Sequence, residues 1–183
     1  EDKNHFIRYP SDWNQVVTQM EALDNYPHGN LRLTTATTIM ALNIFYLPDF
    51  IEWKLSRPWK LLNKYPAGAG MIDLHLAYWP PQLNCKVLPK WFKIEVTEKY
   101  EEFYPWLEKN WQKCNGVEDL SFAEWRELPY GIKRLEGLVS FMNSEDWSER
   151  LPETAEWCST IARRRKLDFL NIFPDLEWLQ WYA

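Results

Sequence analysis

The spacing of apolar side chains predicts an amphipathic helix near the start of the chain, followed by two strands with a short helix between them. In the first helix, apolar side chains recur every three or four residues: Trp13, Val16, Val17, Met20 and Leu23. Ser11 is placed to cap this helix. Residues 31–39 are rich in threonine and β-branched side chains, and residues 71–78 alternate apolar with polar positions, so both stretches are predicted strands. Between them, a helix is predicted from Pro48 to just before Pro58.

The rest of the chain predicts helices alone, with a C-terminal tail docked on the core. The helical patterns cover residues 89–109, with an interruption at Pro105, residues 122–143 and residues 152–166. The tail, residues 169–181, is apolar with a break at Pro174. The strand, helix, strand order favours a parallel pair joined by a crossover. Because two strands alone leave both sheet edges open, we expect a piece of a larger parallel sheet whose first strands are missing.

Composition and charge narrow the function classes. A formal charge of −5 on 183 residues argues against a nucleic-acid-coating surface, and no apolar run is long enough for a membrane-spanning helix. Cys85, Cys114 and Cys158 are too widely spaced for a disulfide framework or a metal knuckle, which favours a reducing, cytoplasmic setting. The chain begins with Glu1 rather than Met, so we interpret it as a fragment or a processed product.

Aromatic side chains are unusually frequent. The chain holds 12 Trp, 9 Tyr and 9 Phe, which fits either a heavily aromatic core or a ring-lined binding surface. Five tryptophans could stack on a sugar or a base, although core positions explain them as well: Trp53, Trp59, Trp79, Trp91 and Trp106. Composition leaves both interpretations open.

Candidate chemistry lies on the two predicted strands. Period-two alternation places Asp73 and His75 on one face, pointing into a crevice if helices cover the apolar face; a satisfied polar pair on a half-exposed strand is the alternative. The carboxylate would orient the imidazole. Thr38 ends the first strand, at the edge where parallel sheets bind ligands, although β-propensity explains it equally. The glycine-rich residues 66–70 precede a strand and not a helix, so we interpret them as a plain connection rather than a phosphate loop.

Four segments, in order along the chain, resemble radical S-adenosylmethionine proteins of the twitch-domain type. Residues 5–13 (HFIRYPSDW) resemble the segment after that family's fourth barrel strand. Residues 38–48 (TIMALNIFYLP), closed by EW at 52–53, resemble its fifth strand and exit. Residues 78–89 (YWPPQLNCKVLP) are similar to the sixth-strand exit, and residues 165–176 (RKLDFLNIFPDL) to the closing segment. Together these segments run through nearly the whole chain.

The resemblance implies an α/β fold: the C-terminal part of a partial (β/α)6 TIM-like barrel in residues 1–110, then a helical C-terminal region in residues 111–183. It also implies S-adenosylmethionine and a [4Fe–4S] cluster as cofactors of the full-length protein. The family's CxxxCxxC cluster motif is absent here, and no metal ligand is assigned to this chain. The chain would therefore line the cofactor and substrate cavity but be inactive alone, since cofactor cleavage needs an electron from the cluster.

Roles for six side chains follow from the same resemblance. Those on the cofactor side are Arg8, Thr38 and Asn43, with Arg8 near the cofactor's carboxylate or ribose. Those facing the substrate, a small molecule or a peptide, are Asp73, His75 and Trp79. The alternatives are a surface ion pair for Arg8 and a helix cap for Asn43.

A partner is expected at the open sheet edge. It would be the missing N-terminal half-barrel or another copy of this chain, unless residues 1–9 fold over the gap. No nucleic-acid or membrane partner is expected. The alternative function is a non-catalytic, aromatic-rich module on a degenerate half-barrel that binds a protein or glycan partner.

Overall fold

A computed structural model describes residues 1–27, 33, 35–62, 72–115 and 127–183, with side chains given except at 111–115 and 127–131. The α-helices are α1 (Asp2–Ile7), α2 (Trp13–Asp24), α3 (Leu47–Leu55), α4 (Lys90–Asn115), α5 (Glu127–Asn143), α6 (Leu151–Arg165) and α7 (Phe169–Ile172). The strands are β1 (Ala36–Ile39) and β2 (Asp73–Leu76). Short 3₁₀ segments occupy Ile44–Tyr46, Pro81–Leu83, Cys85–Val87, Ser148–Arg150 and Pro174–Tyr182.

The described residues form a small α-rich domain, so the expected fold class is wrong. Most of them are helical, and the sheet they contain has only two parallel strands. This arrangement is not the expected C-terminal part of a partial (β/α)6 barrel. Each strand is only four residues long. The physical reason is that alternation predicts an extended conformation and a buried face, but not how many neighbours a strand acquires.

The two strands pair with each other in the predicted parallel direction. Thr38 lies beside His75 in the register, and Ile39 lies beside Leu76. Ile39 is fully buried, and Leu74 and Leu76 pack against the hydrophobic core. The apolar face of the second strand is therefore the covered face, as its alternation predicts.

The helices follow the predicted pattern closely at α2, α3 and α6, with two local differences. Asp12, not Ser11, caps α2: its carboxylate accepts hydrogen bonds from the backbone N–H groups of Asn14 (2.9 Å) and Gln15 (3.4 Å). The interruption predicted at Pro105 is wrong, since α4 continues through it. A proline removes one backbone hydrogen bond, and the turns on both sides keep the helix continuous here. The short helix α1 was not predicted, because six residues carry too little periodicity.

Some predictions fall outside the described residues. They concern the start of the first strand at 31, 32 and 34, the connection at 66–70, residue 71 of the second strand, and the start of the helix expected from residue 122. In the part of the chain that the structure does describe, no helix is both long and apolar enough to cross a membrane.

One hydrophobic core joins the two ends of the chain. Buried members come from α1, α3, α4, α5, α6 and the C-terminal segment: Phe6, Ile51, Phe92, Tyr100, Leu135, Cys158 and Leu176. The predicted docking of the tail is confirmed, because Phe173, Trp178 and Leu179 are buried in this core. The predicted boundary between residues 110 and 111 falls inside α4, and the division into two domains stays a prediction.

Candidate functional site

A cavity of about 460 Å³ lies beside β1. Side chains of α1, α2 and α3 border it, together with residues 35–40 of the strand and its exit. The three residues expected on the cofactor side all line it: Arg8, Thr38 and Asn43. They come from three separate segments of the sequence, so the fold brings them to one place.

Arg8 directly follows α1 as its C-terminal capping residue, lines this cavity and is exposed. Within the described ranges its side chain has no ion-pair or hydrogen-bond partner, so the surface ion pair that the sequence left open is not found there. A guanidinium in this situation is available to a carboxylate or phosphate, which it can hold with two parallel hydrogen bonds.

Contacts with the far end of the chain fix the position of α1. Phe6 is fully buried, and its ring meets Phe169 and Phe173 edge to face at centroid distances of 5.5 and 5.3 Å. The Arg165 guanidinium donates to the carbonyl oxygen of Phe6 and lies 5.0 Å from the ring centre of Tyr9. Arg8 is thus carried on a helix that the C-terminal region holds in place.

An aromatic wall faces the same cavity. Trp13 of α2 lies 5.1 Å from Trp53 of α3, ring centre to ring centre, and Phe50 stacks on Trp53 at 5.7 Å. All three line the cavity. A wall of this kind suits a planar ring on the ligand, because stacked aromatic contacts combine apolar burial with favourable electrostatics.

A buried aspartate fixes the other end of α2. Asp24 accepts hydrogen bonds from the backbone N–H groups of Lys60 (2.7 Å), Leu61 (2.8 Å) and Leu62 (2.8 Å). Lys54 donates to the carbonyl oxygen of Leu62 at 2.8 Å. Burial lowers the pKa of Lys54 to about 7, although the charge of Asp24 opposes that shift. We call this group the Asp24 site: Asp24, Lys54 and the backbone of residues 60–62.

Asn43 uses its side-chain amide to hold the exit of β1. Its Nδ2 donates to the carbonyl oxygen of Thr38, and its Oδ1 accepts from the backbone N–H of Met40, both at 2.8 Å. It precedes the 3₁₀ segment Ile44–Tyr46 without capping it through the side chain, so the helix-cap alternative is not what is found. Asn43 therefore shapes the cavity while its own hydrogen-bonding groups are already engaged.

Asp73 and His75 share one face of β2, as their alternation predicts. His75 Nε2 lies 3.2 Å from Asp73 Oδ2, and Arg134 Nη2 of α5 lies 3.3 Å from Asp73 Oδ1. The side chains of His75 and Asp73 are 57% and 42% exposed. Arg134 was missed, because nothing in the local pattern of α5 points to a strand 61 residues away. We call these three residues the Asp73 site.

Trp79 follows β2 and stands out among the five candidate tryptophans. It is 84% exposed, whereas Trp59 is 7% exposed and Trp91 43%. Tyr78 beside it is 63% exposed and meets the ring of Phe141 at 5.6 Å. Core packing therefore does not explain Trp79, although it does explain Trp59.

The six candidate residues form two neighbouring groups and not one. The residues lining the cavity do not include Asp73, His75 or Trp79. Thr38 connects the groups, because it lines the cavity and lies beside His75 in the strand register. Paired positions on neighbouring strands are about 5 Å apart and point to the same face.

The thiols that the structure describes do not fit an iron–sulfur cluster. Cys85 and Cys158 are free and buried, and burial raises the pKa of Cys85 to about 11 and that of Cys158 to about 12. A cluster ligand must be a thiolate, which such burial disfavours. The described residues contain no group of three or more His, Cys, Asp or Glu side chains that could hold a metal ion. The side chain of Cys114 lies outside the description.

A scan against protein-family models, a search of curated proteins and a search of solved structures each find no match to this chain. The resemblance to radical S-adenosylmethionine proteins therefore rests on its four sequence segments.

Proposed function

We propose that this chain supplies one wall of the cofactor cavity of a larger radical S-adenosylmethionine protein and is inactive alone. The proposal combines the four sequence segments with one observation on the fold. The three side chains to which the resemblance gives cofactor roles, Arg8, Thr38 and Asn43, line a single cavity beside a parallel strand. Ligands of parallel sheets bind at the carboxyl ends of the strands, where Thr38 and Asn43 lie.

The donor set of the cavity fits S-adenosylmethionine. Arg8 would hold the carboxylate, and the wall of Trp13, Phe50 and Trp53 would stack on the adenine and exclude water from it. Asn43 orients the strand exit around the ligand. With a reduced cluster elsewhere in the full-length protein, the cofactor supplies radical chemistry. The described thiols of this chain do not fit that cluster, and no step is assigned to them.

The substrate, a small molecule or a peptide, would lie against the open face of β2. Asp73, which Arg134 also contacts, would orient the His75 imidazole there, and Trp79 adds an exposed ring. A reducing, cytoplasmic setting belongs to the same proposal. It is supported by the free, buried state of Cys85 and Cys158.

Calorimetric titration of the chain with S-adenosylmethionine and, separately, with adenosine tests the cofactor role. Both ligands should bind, because both carry the adenine ring. Arg8→Ala should weaken S-adenosylmethionine binding about tenfold or more, as expected for losing a charge-assisted hydrogen bond. It should leave adenosine binding unchanged, since adenosine has no carboxylate.

Arg164→Ala is the matched control, because Arg164 is also an exposed arginine near a helix end but does not line the cavity. Its binding of both ligands should equal that of the unmodified chain. Equal affinity of the Arg8→Ala variant for S-adenosylmethionine, or no binding of either ligand at millimolar concentration, would overturn the proposal.

A second candidate function is a non-catalytic module that binds a glycan through its exposed aromatic surface. The observation that favours it is the 84% exposure of Trp79 beside the Asp73 site. Titration with chitotriose and maltotriose should then quench tryptophan fluorescence. Trp79→Ala should abolish the quenching, whereas Trp181→Ala, a variant of another exposed tryptophan (74%), should retain it. Quenching that survives in Trp79→Ala would contradict this candidate.

A further inference from the structure

The backbone hydrogen bonds between β1 and β2 show which way each residue of β1 faces. The backbone N–H of Asp73 donates to the carbonyl oxygen of Thr35, and that of Ala77 donates to the carbonyl oxygen of Ile39, both at 2.9 Å. In a parallel ladder, every second residue of a strand turns its N–H and C=O to the same neighbour. The odd-numbered residues of β1 therefore turn their backbone groups toward β2.

The even-numbered residues, Ala36, Thr38 and Met40, turn their backbone groups to the opposite edge, away from β2. Six consecutive residues, 35–40, line the cavity. A strand that bordered a space with one face would contribute only every second side chain. The edge of β1, with its hydrogen-bonding groups, is therefore what borders the cavity.

Asn43 already occupies one position of this edge. Its side-chain amide donates to the carbonyl of Thr38 and accepts from the N–H of Met40, at 2.8 Å each. The N–H and the C=O of a single residue in a neighbouring parallel strand would make the same pair of bonds. At the carboxyl end of the edge, the Asn43 side chain therefore makes the hydrogen bonds that a neighbouring strand would make.

The next position along the edge, toward the amino end, is open. It consists of the C=O of Ala36 and the N–H of Thr38, which have no hydrogen-bond partner in the described residues. Ala36 is exposed, Thr38 is partly exposed, and both residues line the cavity. An unpaired edge of this kind is a template for another extended chain.

We propose that an extended polypeptide segment pairs with β1 inside the cavity, bonded to the C=O of Ala36 and the N–H of Thr38. A strand added to a sheet edge gains affinity from main-chain hydrogen bonds, and side-chain pockets give it specificity. Here Trp13, Val16 and Met20 of α2 supply an apolar wall for its side chains. Asn43 ends the pairing at Met40. The inference does not rest on the cofactor proposal, but the segment and S-adenosylmethionine would compete for the cavity, because both proposals use Trp13.

The test uses the isotope-labelled full chain and the synthetic peptide acetyl-Val-Thr-Val-Thr-Val-amide as the probe. Peptide at saturation should shift the amide signals of Ala36, Thr38 and Met40. It should also slow hydrogen exchange of the Thr38 N–H at least tenfold. The same peptide with every backbone nitrogen methylated should do neither, because it has no N–H to donate. Adenosine serves as a planar ligand that should not slow this exchange.

Thr38→Pro removes the N–H of the proposed pairing position and leaves the bonds to β2 in place, since proline is tolerated where the N–H faces away from the sheet. Peptide binding should be lost in this variant while the His75 and Ala77 amides stay protected. If the variant does not fold, the comparison of the two peptides on the unmodified chain still tests the proposal. The proposal is overturned if the peptide leaves the amide signals of β1 unchanged, or if the methylated peptide binds with the same affinity. It is also overturned if raising the concentration of the chain alone protects the Thr38 N–H, because a second copy would then be the occupant.

Discussion

The Asp24 site and the Asp73 site place an aspartate against basic partners in opposite surroundings. Asp24 is 4% exposed, accepts three backbone hydrogen bonds and lies near the buried Lys54. The side chain of Asp73 is 42% exposed and contacts His75 and Arg134 at 3.2 and 3.3 Å. One carboxylate is enclosed by the fold, and the other remains open to solvent.

This difference in exposure assigns a structural role to one aspartate and a ligand-binding role to the other. A buried charge costs free energy unless every partner is in place, so removing one partner is strongly destabilising. An exposed pair is screened by water and adds little to stability, but a ligand can reach it. We therefore expect the Asp24 site to hold the cavity wall together and the Asp73 site to be accessible to a ligand.

The largest expected effect is that of Asp24→Asn. The variant keeps the size of the side chain but replaces the carboxylate that accepts three backbone hydrogen bonds from residues 60–62 with a neutral amide. The free energy of unfolding should therefore fall by about 3 kcal/mol or more. Urea denaturation measures this. The end of α2 should also loosen and weaken ligand binding in the cavity. A loss below 1 kcal/mol would mean that this site does not hold the wall.

A pH dependence of stability should follow from Lys54. Its pKa in the folded chain is lowered to about 7 from an ordinary value of 10.5, so above pH 7 the unfolded chain binds a proton that the folded chain lacks. Stability therefore rises with pH, by at most about 1.4 kcal/mol per unit from this group. Between pH 7 and 8.5, Lys54→Met should reduce the slope of unfolding free energy against pH.

Two further observations sharpen that measurement. Lys109→Met, a change at an exposed lysine of α4, should leave the slope unchanged. Burial also lowers the pKa of Lys93, so a smaller slope should remain in the Lys54→Met variant. An unchanged slope in Lys54→Met would show that the Lys54 amine is not held in a buried environment in solution.

The smallest expected effect is that of Asp73→Asn. Because the site is exposed, the free energy of unfolding should change by less than about 1 kcal/mol. The same urea experiment, run beside Asp24→Asn, compares the two aspartates directly. A loss at Asp73 as large as that at Asp24 would contradict the division between a structural and an accessible site.

The local parts of the fold were predictable, and its extent was not. Alternation placed Asp73 and His75 on one face of β2, and the apolar repeat from Trp13 to Leu23 located α2, because both patterns depend on neighbours in sequence. The barrel expectation failed because the number of strands depends on contacts that no single segment encodes. The continuation of α4 through Pro105 is a case where the surrounding helix outweighed a local breaker.

The candidate site shows the same limit. Arg8, Thr38 and Asn43 were proposed together on resemblance, and the fold places them at one cavity. Arg134 could not be found from the sequence, since it reaches Asp73 from a helix far along the chain. The backbone edge of β1 could not be found either, because side-chain patterns do not say which edge of a strand stays unpaired.

The anchoring of α1 has a consequence for the order of assembly during synthesis. Phe6 is enclosed by Phe169 and Phe173, and its carbonyl is bonded by Arg165, 159 positions later. A growing chain therefore cannot complete the wall that carries Arg8 until residues 165–173 have been synthesised. Contacts this distant in sequence close slowly, because a long loop must lose its freedom first. Nascent chains that stop before residue 165 should consequently lack the cavity.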